Sequence, residues 1–165
     1  MFVMEEIIGL NRLNEHKYRV REIRRLQKEI NIISAQLGSP GGVRYSDMPR
    51  SQNPFDKMGM LIARKIEKEK KLNEMTKTAI QEAKILENII KQISKLPESA
   101  KGASNAIYQD ILRYHYLNDI SMKEIIYLMN NDDDDLLDNY ESKLRILYAR
   151  EDEALRKFIK CQKIK

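Results

Sequence analysis

The chain has 165 residues, enough for one compact domain or two small ones. Charged residues make up 33% and hydrophobic residues 42%, Trp is missing, and Gly and Pro number only six and four, a profile that suits helices and argues against sheets. A net charge of +5 favours an anionic partner without specifying a fold, and a single cysteine, Cys161, rules out an internal disulfide framework.

The start, MFVMEEIIGLNR, has acidic residues where a secretory leader has basic ones. No apolar run reaches the ~18 residues of a membrane span. A cytoplasmic protein without a membrane partner is expected. Cys161 lies near basic residues at an end expected to fray, and reads as an unpaired surface thiol.

Residues 2–37 are expected to form one long helix. Ile23, Leu26, Ile30, Ile33 and Leu37 alternate spacings of three and four, which draws one apolar stripe. Val3, Ile7, Leu10 and Leu13 continue it upstream, and Arg21, Arg24, Arg25 and Lys28 fall on another face. Next comes "GSPGGVRYSDMPRSQNPF", dense in glycine and proline and without a period, a loop over residues 38–55. Helical signal returns at Asp56 and runs to Leu96, where Pro97 stops it. Its seam is Met58, Ile62, Leu72, Ala79, Ala83, Leu86, Ile90 and Ile93, interrupted by Lys65 and Glu69. Residues 1–97 therefore read as a long antiparallel, coiled-coil-like hairpin. At about 1.5 Å rise per residue each helix exceeds ~50 Å, more than a small bundle can cover. A homodimer through the hairpin is expected.

"PESAKGAS" marks a boundary, and residues 98–165 form the second expected domain. Ile107, Tyr108, Ile111, Leu112 and Tyr116 line a helix of about fifteen residues, and Asn118-Asp119 make a turn. Ser121 and Glu124 form a capping box that opens a short helix bearing Ile125, Leu128 and Met129. Ile120 packs down ahead of the box, and Asn130 suits a left-handed helix end. A last helix is expected from near Asp134 to about Ile159, with Leu137, Tyr140, Leu144, Leu147, Leu155 and Phe158 as its apolar face. The fold expected is all-α, a helical hairpin followed by a small helix-turn-helix-like bundle.

No residue pattern points to catalysis, a metal or a cofactor. His16 and His115 lie on different helices without ligand spacing, and both read as solvated or interfacial. "GSPGG" follows no strand, so it is not a phosphate loop. The stripe Arg64, Lys68, Lys71 reads first as a solvated helix face that could also help hold RNA polymerase or DNA.

"YQDILRYHYLNDISMKEIIYLMN" resembles region four of bacterial sigma factors, and more closely phage-encoded regulators of the RinA and ArpU type. "SDMPR" followed by Asp56-Lys57, Ser121 to Asn130, and "LYAREDEALRKF" from Leu147 to Phe158 carry the resemblance over most of the chain. It implies a phage-type transcriptional regulator that binds duplex DNA or host RNA polymerase. DNA contacts would then fall on Ser142, Lys143, Arg145, Tyr148 and Arg150 of the last helix. Three features depart from the family pattern. Ile126 stands where Ala is usual, Asn130 where Gly is usual, and about ten residues, "NDDDDLLDNY" (131–140), lengthen the approach to the last helix.

Asp132 to Asp135 have a simple use as caps facing the positive end of a helix dipole. They do not alternate as calcium ligands would. Near DNA they would repel phosphates, and residues 101–165 hold 11 Lys and Arg against 12 Asp and Glu. Two outcomes stay open. The insertion loops away and the last helix, starting near Ser142, meets DNA through Lys143 and Arg145. Or the last helix starts early, and the chain is a coiled-coil adaptor or inhibitor that binds a host protein and does not read DNA.

Overall fold

A computed structural model describes residues 4–38, 54–98, 102–129 and 139–162. Every regular element among them is helical: α1 (Met4–Gly38), α2 (Pro54–Gln92) ending in a 3₁₀ turn (Ile93–Lys95), α3 (Asn105–Leu112) ending in a π turn (Arg113–Leu117), α4 (Met122–Met129) and α5 (Tyr140–Gln162). The fold is all-α, with a long helix pair and a small helix-turn-helix-like bundle. None of these helices is long and apolar enough to cross a membrane. The start expected for α5 near Asp134, with Leu137 and Asn130, lies outside the described residues, as do most of loop 38–55 and "SDMPR".

The chain divides into two compact units, and the division cuts both long helices. One unit is residues 21–78. Within it Leu26, Ile30 and Ile33 are buried along α1, with Ile23 and Leu37 half-buried, which is the expected stripe. Lys68 on α2 pairs with Glu29 on α1 and, through that hydrogen bond, holds the Glu29 carboxyl below the usual range. Arg25 bridges Glu22 at 2.8 Å and Glu29 at 3.3 Å. Lys65 and Glu69, which break the apolar seam, form an i,i+4 pair at 3.7 Å. The front of the α2 seam is not buried: Met58 and Ile62 are exposed, and Leu72 is half-buried.

The other unit joins residues 1–20 to residues 79–165. Its larger core takes Leu13 from α1, Leu86, Ile89, Ile90 and Ile93 from the end of α2, Tyr108 and Leu112 from α3, and Ala154 and Phe158 from α5. The base of the hairpin is thus packed into the bundle rather than separated from it at Pro97. Arg12 and Glu82 clamp α1 to α2 at 3.0 Å. Gly9 on α1 meets the Gln162 side chain at the end of α5. That packing also corrects the reading of Cys161. Instead of fraying, the end of α5 is buried, Cys161 is 2% exposed, and burial pushes its thiol pKa up.

Candidate functional site

The turn before α4 is built by its own sequence. The Asn118 amide donates to Arg113 O at 3.0 Å and the Ile120 amide to Tyr114 O at 2.9 Å. Asp119 between them takes a left-handed φ of 49°, as the cap of a Schellman-like ending requires. Asp tolerates this conformation better than most residues because its short side chain bonds locally. Ile120 and Tyr114 then pack against the smaller core together.

Ser121 and Glu124 close the box reciprocally. The Ser121 amide donates to Glu124 Oε2 at 3.0 Å, and the Glu124 amide donates to Ser121 Oγ at 3.3 Å. Two of the helix's free amides are thereby satisfied without any partner from outside the turn.

α4 seats on its neighbours through Met122, Ile125 and Ile126, which cluster with Ile111 of α3 and Leu147 of α5. Ile126 is 1% exposed, so the larger residue is absorbed where the sigma-like pattern has Ala. Leu128 is not part of this seat and stands exposed with Tyr127. A run of Ile125, Ile126, Tyr127 and Leu128 spans more than one helix face, so part of it must point outward.

α5 splits the five expected DNA-contact residues between two faces. Lys143, Leu147 and Arg150 step by four and three, and Leu147 is buried, so the two basic residues flank the core side and are half-buried. Ser142 and Arg145 lie outward and exposed, with Tyr148 one turn beyond Arg145. Along the exposed side charges alternate, Glu141, Arg145, Asp152, Arg156, so it is mixed rather than basic. Asp132 to Asp135 lie outside the described residues.

A buried polar network beneath α5 was not legible in the sequence. The Tyr116 hydroxyl donates to Glu151 Oε1 at 2.9 Å, and His115 Nε2 lies 3.5 Å from the same oxygen. Lys17 Nζ sits 2.8 Å from His115 Nε2, while His115 Nδ1 faces Ile120 O at 2.9 Å. Donation from Lys17 to Nε2 leaves Nδ1 as the donor to Ile120. His16, one residue before Lys17, is 2% exposed rather than solvated, and its Nδ1 has no hydrogen-bond partner. Burial foremost, then the charge of Arg19, holds its pKa below the usual value. The one available signal was spacing. Residues 112, 115, 116, 147, 151, 154 and 158 share helical faces, so polar members among them sit beside the core.

No family model matches the chain, and no curated protein or solved structure does either. Among the described residues no cluster of His, Cys, Asp and Glu could hold a metal.

Proposed function

We propose that the chain is a phage-type transcriptional regulator, a homodimer that contacts duplex DNA, RNA polymerase or both through α3, α4 and α5. The observation that carries this is the closed Ser121–Glu124 box opening a short helix seated between α3 and α5. The resemblance to sigma region four supplies the chemistry: α5 would present Arg145, Ser142 and Tyr148 to the nucleic acid. The reading is one of binding, not catalysis.

A second reading rests on a specific observation, the mixed charge along the exposed side of α5. It makes the chain an adaptor or inhibitor that holds a host protein and leaves DNA alone. The two separate in one measurement. Regulator binding to a labelled duplex weakens steeply with salt, because phosphate neutralisation releases counterions. An adaptor shows no such binding and instead retains a host protein from nuclease-treated lysate.

A further inference from the structure

The chain's excess positive charge is confined to one compact unit. Residues 21–78 hold 13 Lys and Arg against 7 Asp and Glu, a net of +6, whereas the remaining residues hold 17 against 18. On α2 in that unit Met58, Ile62, Ile66 and Lys70 step by four, so they share one face. Met58 is 52% exposed, Ile62 45% and Ile66 60%. Lys70 and Lys77 stand exposed on the same side, and neither has an ion-pair partner among the described residues. An uncovered apolar stripe with a basic edge is a docking surface in want of an acidic, apolar occupant.

A second hairpin is a poor occupant, because two units of +6 would bring like charges together. The matching chemistry lies elsewhere in the same sequence. Asp132 to Asp138 reads DDDDLLD: five carboxylates, two adjacent leucines and no basic residue. We propose that the stripe Met58, Ile62, Ile66 takes the Asp132–Asp138 segment of a second copy. Leu136 and Leu137 supply apolar cover, and the aspartates neutralise Lys70 and Lys77. If each copy gives its segment and receives the other's, the interface is two-fold and closes as a dimer. The run of aspartates beside α5 then serves assembly, and no DNA contact by α5 is needed.

The test uses the whole chain and no DNA, so its outcome is independent of whether α5 reads a duplex. Light scattering at micromolar concentration should give twice the chain mass of 19.5 kDa. The species should dissociate as salt rises from about 50 mM to about 500 mM. Ile62→Glu with Ile66→Glu should weaken association at least tenfold, and so should replacement of Asp132 to Asp135 by Asn. Ile62 and Ile66 are exposed, so their replacement leaves the buried cores untouched, and unaltered far-UV circular dichroism would verify that both variants keep their helices. Mixing the two variants restores one of the two docking events and should give intermediate association. A labelled peptide of residues 131–138 should bind the parent and not the Ile62/Ile66 variant. A monomeric parent overturns the proposal. So does a dimer indifferent to both variants, or a peptide that binds both proteins alike. Capture of the stripe by phosphatidylglycerol vesicles, with no peptide binding, would assign it to a membrane surface instead.

Discussion

Lys157 Nζ donates to Asn105 Oδ1 at 2.6 Å, and both residues are buried. The same ammonium lies 4.8 Å from the Tyr108 ring centre and reaches Pro97 O at 3.5 Å, while Asn105 Nδ2 donates to Leu96 O at 2.8 Å. One pair thus ties α5 to the connector between α2 and α3. Asn105→Ala strands the buried charge and should cost about 2–3 kcal/mol, by the magnitude of hydrogen bonds to charged groups. Lys157→Met removes charge and demand together and should cost less. The double variant should lose less than the sum, since the residues are in direct contact. Urea melts of the four proteins give the cycle.

Tyr116 and Glu151 make the second buried pair. Tyr116→Phe should cost about 1–2 kcal/mol at neutral pH, because Glu151 loses its closest donor. Burial foremost, then the Glu151 charge, pushes the Tyr116 pKa up from 10.0. The unfolded chain therefore ionises here first as pH rises. Stability from this group is full below about pH 10 and is lost above it. In Tyr116→Phe the alkaline limb of a melting-temperature profile should be flatter than in the parent.

His16 acts at the other end of the scale. Its folded pKa lies below 6.5, so below that pH the unfolded chain takes up a proton that the folded chain refuses. Stability should fall as pH drops through about 6.5, before most carboxylates titrate. His16→Leu should remove this early loss. Urea midpoints between about pH 7.5 and 5.5 measure it, and an unchanged slope in the variant would assign the loss to another group.

The split of α5 ranks its basic residues. Arg145→Ala should lower duplex affinity and reduce the salt slope by about one for each phosphate left without its cation. Lys143→Ala should do less, since Lys143 lies half-buried on the core side. Fluorescence anisotropy against salt reads both, and equal effects would mean that the outward face is not the reading face.

The fold was largely legible, and the reasons are local. Leu26, Ile30 and Ile33 repeat at a period only a helix uses, and Ser121 with Glu124 is a self-contained cap. What escaped was tertiary. Met58 and Ile62 continue the α2 period yet stand exposed, because period tells which face a residue shares, not whether anything covers it. The basic neighbours of Cys161 suggest an exposed thiol, and the spacing of His16 leaves it solvated or interfacial, but the burial of both is set by elements far along the chain. The α5 residues expected to meet DNA were placed by resemblance. Only the burial of Leu147 shows that Lys143 and Arg150 lie toward the core side, with Arg145 facing away from it and Ser142 exposed at the flank.

The π turn at Arg113–Leu117 amounts to one extra residue spliced into the end of α3. In an uninterrupted α-helix each residue adds about 100° of rotation. The splice therefore sets the phase with which the chain leaves α3. Tyr116, which reaches Glu151, and Asp119, which turns the chain into α4, both depend on that phase. Removing one residue here would leave the composition and apolar content of every helix nearly unchanged, yet it would aim α4 in a different direction. Chain length at this point, more than any side chain, encodes where α4 meets α5. An indel in these five positions should be far more disruptive than a substitution.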